Sequence, residues 1–320
     1  MSHDVGRGAP IIWRDAWMSA NERFYGSQNA EDHFLTSIEM SSTVAAVIAR
    51  MIDSQRSRLD AEDFHVIDIG AGSGRLLELL RTHLGDDVHL LGVDIRERPA
   101  DLPADISWHR ALIDSESENI TQRDGEICGI VIAHEFLDDV PCDVVELDDE
   151  LEPRVVLVDP ASGIEELGPR LEDPAARRLL TDARVQAMME WLRTWWPPTR
   201  PGARREIGLD RERVWSKLTG IVHSGMAIAV DYAHARSDRA AGLWDAGTVK
   251  GFSGGRPRRS TPDGTCNVTA HVSIDALASP TGTIASQSQV IADSTLNSWP
   301  SGLGSYTWLM QPIERGTMTS

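Results

Sequence analysis

Two short stretches of this 320-residue chain hold residue types able to bind and activate a ligand. The first is Asp68-Ile69-Gly70-Ala71-Gly72-Ser73-Gly74, an acid followed by glycines at alternate positions. Where such a loop opens a helix, backbone N–H groups approach a ligand closely and the helix dipole favours an anionic group. The dinucleotide fingerprint G-x-G-x-x-G requires glycine or alanine at position 75, and Arg75 stands there. The shorter G-x-G-x-G spacing therefore points to another cofactor. Asp94, which ends Leu90-Leu91-Gly92-Val93, lies the right distance onward to accept hydrogen bonds from both hydroxyls of a ribose.

The second stretch is His134-Glu135-Phe136-Leu137-Asp138-Asp139-Val140-Pro141. It superficially resembles a zinc-protease helix, but H-E-x-x-H fails because Asp138 takes the place of the second histidine, and no metal site is expected. The carboxylates of Glu135, Asp138 and Asp139 could stabilise a bound cation or orient a cationic nucleophile, provided that pairing offsets their desolvation. An acidic helix start accounts for Asp138 and Asp139 through the helix dipole. It accounts less well for Glu135, which becomes the leading substrate-site candidate.

These residues need a scaffold, and the apolar pattern supplies one. Residues 64–69 read as a strand running into the glycine loop, and residues 76–84 have the spacing of a helix. Further strands are predicted at 89–93, 106–110, 127–133 and 226–230, each separated by enough chain for a crossover connection. Alternating strands and helices imply a parallel sheet, with residues 134–139 at the carboxyl end of its fourth strand, where open α/β sheets bind ligands. Residues 41–53 carry Val44, Val47, Ile48 and Met51 at helical spacing behind serine caps. Residues 283–290 and 306–313 read as final antiparallel strands.

Between residues 150 and 209 the character changes. Turn signals at 159–163 and 197–202 bracket a helix predicted to begin at Asp173-Pro174, with Leu180, Ala183, Ala187, Trp191 and Trp195 along one face. That face either packs on the core or forms an aromatic-lined lid over a substrate. Gly254-Gly255-Arg256-Pro257-Arg258-Arg259 reads as an exposed basic loop, either solvated or turned towards an acidic partner.

Basic residues number 31 against 49 acidic ones, a net charge of −18, so electrostatics oppose nucleic acid or an anionic membrane as partners. Hydrophobic content of 41% and charged content of 25% match a globular chain. Cys128, Cys142 and Cys266 are too few and too scattered for a disulfide framework or a C-x-x-C zinc site. No apolar run reaches the roughly 18 residues of a membrane span, and residues 1–23 lack the apolar core of a signal peptide, which leads to an expected cytoplasmic location.

The glycine loop with its preceding acid resembles motif I of class I S-adenosylmethionine-dependent methyltransferases, whose cofactor presents a carboxylate rather than a pyrophosphate. Residues 24–277 resemble the MidA-like methyltransferase family, which includes the mitochondrial complex I assembly factor acting as a protein-arginine methyltransferase. Phe34-Leu35-Thr36-Ser37-Ile38-Glu39-Met40-Ser41 is similar to the family's F-x-T-A-P-E-x-S, which closes over the cofactor, with Ile38 at the proline. His134-Glu135-Phe136-Leu137-Asp138 is similar to N-E-x-x-D, with His134 at the asparagine. Asp231-Tyr232 is similar to the D-Y-G that ends strand five, with Ala233 at the glycine. Residues 262–272 are similar to G-x-x-D-[IL]-T-x-H-V, with Asn267 at the aspartate.

The resemblance implies an α/β, Rossmann-like class I methyltransferase fold: a seven-stranded, mostly parallel sheet with an N-terminal helical arm over residues 1–62, and a methyltransferase domain over 63–320 with a helical insertion at about 150–210. It implies S-adenosyl-L-methionine as cofactor, bound by Thr36, Ser37, Asp68, Gly70, Ala71, Gly72, Gly74, Asp94, His134 and Glu135, with Glu135, Asp138 and His271 as catalytic residues. The acceptor is a protein, arginine in the family's case, or a small molecule, and a homodimer is left open. Asparagine cannot serve as a carboxylate base, so the departures at 134, 233 and 267 keep two alternatives in play. These are a small-molecule methyltransferase of specialised metabolism and a catalytically silent, cofactor-binding assembly protein. His271 and Tyr232 each carry two readings, a satisfied core residue or a substrate-orienting one. For a nicotinamide dehydrogenase only the generic strand–loop–helix speaks.

Overall fold

Apolar runs that do not alternate mark strands covered on both faces, and here they build the centre of one sheet. The computed structural model describes residues 9–27, 38, 42–118, 120–121, 123–254, 256–292 and 306–314. In it β1 (Phe64–Ile69), β2 (Val88–Asp94), β3 (Ser107–Arg110), β4 (Ile127–His134) and β5 (Val222–Asp231) pair in parallel. β6 (Thr283–Ser286) and β7 (Thr307–Glu314) complete the order β6-β7-β5-β4-β1-β2-β3, with β7 antiparallel to both its neighbours. The chain leaves β1 towards β2 on one side and returns to β4 on the other. The carboxyl ends of β1 and β4 therefore flank the point where the strand order reverses, the place where open sheets of this kind take their ligands.

Helix Ser42–Leu59, which runs six residues past its predicted end, buries Val44, Ala45, Val47, Ile48, Ala49 and Ile52. Helix Arg75–His83 buries Leu76, Leu77 and Leu80. Both pack into one apolar cluster with Phe64, Val66, Ile130, Ile132 and Trp308 of the sheet. β5 starts four residues before its predicted beginning at residue 226 because Val222, Ser224 and Gly225 also pair with β4, through a register shift between Val222 and Ser224. This sheet and its helices form one compact unit of residues 35–137, 213–233 and 277–320.

The second unit comprises residues 1–34, 138–212 and 234–276. Its centre is an antiparallel sheet of Ile11–Ile12, Asp143–Leu147, Pro153–Val158, Glu165–Arg170 and Arg204–Ile207, strands that the pattern of turn residues did not reveal. Helix Asp182–Trp195 packs on this sheet, with Trp191 and Trp196 among Val145, Val155 and Ile207, which favours the packed reading over the lid. The helix does not begin at Pro174. Pro174–Arg178 is a 3-10 turn, and the helix starts after Thr181, whose hydroxyl accepts from the Arg184 N–H. Its buried side is offset from the predicted one: Arg184, Val185, Met188, Trp191 and Leu192 point inward while Ala183 is exposed. Arg184 is drawn in by Asp143 and Asp210. The basic loop is in fact a hairpin, Lys250–Ser253 pairing with Arg256–Arg258, whose second strand is exposed. Among the described residues, no helix is long and apolar enough to cross a membrane.

Candidate functional site

The glycine loop leaves β1 and folds back onto β2. The N–H groups of Gly70 and Ala71 both donate to the Val93 carbonyl, at 2.8 and 3.2 Å. Gly70 has φ +69°, and a Cβ there would sit 2.6 Å from the Phe136 ring. Gly74, at φ +78°, begins helix Arg75–His83 and supplies no side-chain cap, while a Cβ on it would meet Leu102 at 2.5 Å. Only glycine satisfies both positions. Asp94 braces this turn: Oδ2 accepts the Gly72 N–H at 2.8 Å, and Oδ1 accepts from the Arg96 N–H at 2.9 Å and Nε at 3.1 Å.

A carboxylate-bearing nucleoside fits these groups. Such a ligand bound here would find N–H donors for its carboxylate at the uncapped helix start and acceptors for its ribose hydroxyls on Asp94, shared with Arg96. Asp94→Ala removes both the brace and the acceptor. Hydrogen bonds to a charged group contribute about 1.5–3 kcal/mol each, so affinity for S-adenosyl-L-methionine falls by on the order of 100-fold. Calorimetric titration checks this, and a dissociation constant within threefold of wild type would remove Asp94 from the site.

Asp68, at the end of β1, is almost fully buried. Burial first, and then the charge of Asp94, push its pKa up from 3.8 to about 8. The folded chain thus keeps a proton that the unfolded chain releases. The resulting stabilisation is complete below pH 3.8 and is lost as pH rises through about 8. Asp68→Asn cannot ionise, so its stability relative to wild type climbs between about pH 4 and 8 and then levels off. Parallel pH profiles in urea melts would show that Asp68 carries no such proton.

At the carboxyl end of β4 the chain turns sharply. Glu135 has φ +50°, a left-handed conformation that costs a non-glycine residue energy and persists only when its surroundings impose it. Here the Glu135 N–H donates to Val230 O at 2.8 Å and the Leu137 N–H donates to Asp231 Oδ2 at 2.9 Å. Asp231 is completely buried, and its Oδ1 also accepts the Tyr232 N–H at 2.8 Å. The turn is therefore pinned to the end of β5 on both sides of Glu135. Its carboxylate lies beside a tyrosine pair. Tyr306 donates its hydroxyl proton to Tyr232 Oη at 2.7 Å, and burial, with the Glu135 charge next in weight, keeps the Tyr306 phenol protonated far beyond its usual range. His134 Nε2 lies 3.7 Å from Glu135 Oε1, but burial lowers the His134 pKa to about 4, so at neutral pH this is a contact of a neutral imidazole and not an ion pair.

Asp138 and His271 belong to the second unit. Asp138 is buried, which raises its pKa to about 6 against the opposing pull of Arg211. Arg211, itself buried, donates to the carbonyls of Asp138, Val140, Ala270 and His271, and so ties the segments around the two predicted catalytic residues together. Asp139 is pushed well above the carboxylate range by burial and then by Asp138; Tyr25 donates to its Oδ2 and Asn267 Nδ2 donates to its Oδ1 at 2.9 Å. Asn267 thus supplies a donor where the family's aspartate would bring a second acceptor. The His271 ring lies 4.9 Å from Trp244 and 6.3 Å from His234, and burial lowers its pKa to about 4, so it is a neutral imidazole among aromatics.

Thr36 and Ser37 lie outside the described residues; of the segment 34–41 only Ile38 is described, and it is buried. Sequence reasoning missed Tyr306, Arg211 and Tyr25. The strand that follows Tyr306 was recognised, but nothing in the local pattern distinguishes a tyrosine beside a carboxylate from one in the core.

Residues 43–290 match the protein family described as "Putative S-adenosyl-L-methionine-dependent methyltransferase". No curated protein matches the chain. Among solved structures, a Burkholderia thailandensis protein described as a "likely methyl transferase", bound to S-adenosyl-homocysteine, is 18% identical at a TM-score of 0.67, over 95% of this chain and 88% of its own. An "uncharacterized" protein from the same organism is 19% identical at a TM-score of 0.65, over 95% and 87%. The shared fold agrees with the seven-stranded sheet described above. With a match across more than half its length and a glycine cradle suited to the cofactor, the chain belongs to this family of S-adenosyl-L-methionine-dependent methyltransferases.

Proposed function

We propose that the methyl acceptor is the guanidinium of a protein arginine, held by the Glu135 carboxylate. The observation that carries this reading is the pinned, left-handed turn that fixes Glu135 at the carboxyl end of β4, next to the glycine loop at the end of β1. Bound at that loop, S-adenosyl-L-methionine supplies a methyl group on a positively charged sulfur.

Methyl transfer is an in-line displacement, so alignment of the nucleophile matters more than strong acid–base chemistry. A guanidinium is protonated in free solution and is a poor nucleophile until its charge is paired and its proton has somewhere to go. Glu135 provides both: its two oxygens accept a bidentate pair of N–H bonds, and one of them takes the proton released as the N–C bond forms. The protonated Tyr306 and Tyr232 beside it restrict where that carboxylate can swing.

The test is to incubate the protein with methyl-labelled cofactor and a cell extract, separate proteins from small molecules, and hydrolyse the labelled protein. Labelled methylarginine is the expected product. Label confined to small molecules would replace this reading with metabolite methylation, and cofactor binding with no label anywhere would make the protein a silent binding scaffold.

A further inference from the structure

The amino ends of β1 and β2, at the opposite end of the strands from the glycine loop, hold ligating side chains that methyl transfer does not use. His65 and His89 are register partners in the parallel pair β1–β2, so they leave the same face of the sheet. Their rings stack with centroids 4.7 Å apart. Asp63 precedes β1 and brings Oδ1 to 2.9 Å from His65 Nε2 and 3.2 Å from His89 Nε2. The three donor atoms all lie within 4.8 Å of one another. Donors bound to a tetrahedral ion at about 2.0–2.1 Å stand roughly 3.3 Å apart, so small side-chain rotations close this arrangement around a metal.

We propose that Asp63, His65 and His89 form a surface site for a zinc-type divalent ion, completed by water, that clips β1 to β2. Two imidazoles and one carboxylate match the preferences of zinc and its neighbours, whereas magnesium and calcium favour oxygen ligands throughout. Sequence spacing hides the site, because His65 and His89 are far apart in the chain and only the strand register brings them together.

One neighbour argues the other way and makes the proposal sharper. Arg123 places Nη1 3.1 Å from His65 Nε2 and its Nη atoms 3.4–3.5 Å from Asp63 Oδ2, so a guanidinium already answers the carboxylate's charge. It is half exposed, on a long side chain that can turn into water. A metal ion must displace it. Removing Arg123 therefore strengthens metal binding.

The experiment uses the untagged full chain, stripped with a chelator and titrated with Co²⁺. The expected result is one equivalent of bound ion with the visible absorption bands of a tetrahedral complex, abolished by Zn²⁺ and untouched by Mg²⁺. His89→Ala, at the more exposed histidine, and His65→Ala should each lose the bands, while Arg123→Gln should saturate at severalfold lower Co²⁺. A cooperative thermal melt at the wild-type Tm shows that each variant is folded, and His89→Ala stands alone as the test if His65→Ala disturbs β1. Absence of a saturable one-equivalent band would overturn the site, and so would bands that persist in the folded His89→Ala protein, which would mean an adventitious ion only.

Discussion

Glu135→Gln is expected to lower turnover by about 10²- to 10⁴-fold while the dissociation constant for S-adenosyl-L-methionine stays within about threefold of wild type. Glutamine is isosteric, and the backbone bonds that pin the turn, from Glu135 to Val230 and from Leu137 to Asp231, do not involve the side chain. The cost of the left-handed conformation is similar for both residues, so the fold should not notice the change. The chemistry should, because an amide can neither pair with a guanidinium nor take its proton. Single-turnover assays on whichever acceptor the wild-type protein labels would measure the effect. Glu135→Asp keeps the charge on a shorter arm and should recover part of the rate. A glutamine variant that turns over within threefold of wild type would take the carboxylate out of the reaction.

The second large effect is on stability. Arg184 is buried and donates Nε to Asp143 Oδ2 at 2.8 Å and Nη1 to Asp210 Oδ1 at 2.9 Å, with both carboxylates buried as well. Arg184→Leu deprives two buried carboxylates, Asp143 and Asp210, of the guanidinium they share. Removing one partner of such a group costs about 3–5 kcal/mol, which lowers Tm by roughly 4–7 °C. Yet the intact triad need not be a net gain, since bringing three charges out of water consumes most of what their attraction returns. Replacing Arg184, Asp143 and Asp210 together with leucine should therefore restore most of the loss. Thermal and urea melts of the single and triple variants decide this; a single variant that loses less than 1 kcal/mol would mean that water already reaches the carboxylates.

The parts of the molecule that the chain announced are those where one physical pattern dominates. β1, β2 and β4 are rich in apolar residues that do not alternate with polar ones, and the glycine loop must be glycine because Phe136 and Leu102 crowd it. Part of the second unit was hidden by polar residues within its strands. The strand Arg204–Ile207 buries Arg205 and Glu206, and Glu165–Arg170 has no alternation to follow. The helical stripe of residues 180–195 was drawn through alanines, since an arginine is not ordinarily placed inside, and only its two aspartates explain why this one is. At the candidate site, Glu135 could be singled out because a helix dipole does not explain it. Asp231, which holds the turn, and Tyr306, which borders the carboxylate, act through long-range pairing that no local window contains.

The position of β7 also governs how the protein can be made. Because residues 307–314 lie between β5 and β6, the edge of β5 stays open on the nascent chain until that segment has been synthesised. At ordinary translation speeds the delay is roughly 5–15 seconds, long compared with hairpin formation and collapse. Throughout it the apolar strand Val222–Asp231 offers unpaired backbone to any other strand nearby. Slowing the ribosome between these two strands should therefore raise the aggregated fraction, and an ample supply of strand-binding chaperone should lower it, with no change to the finished fold.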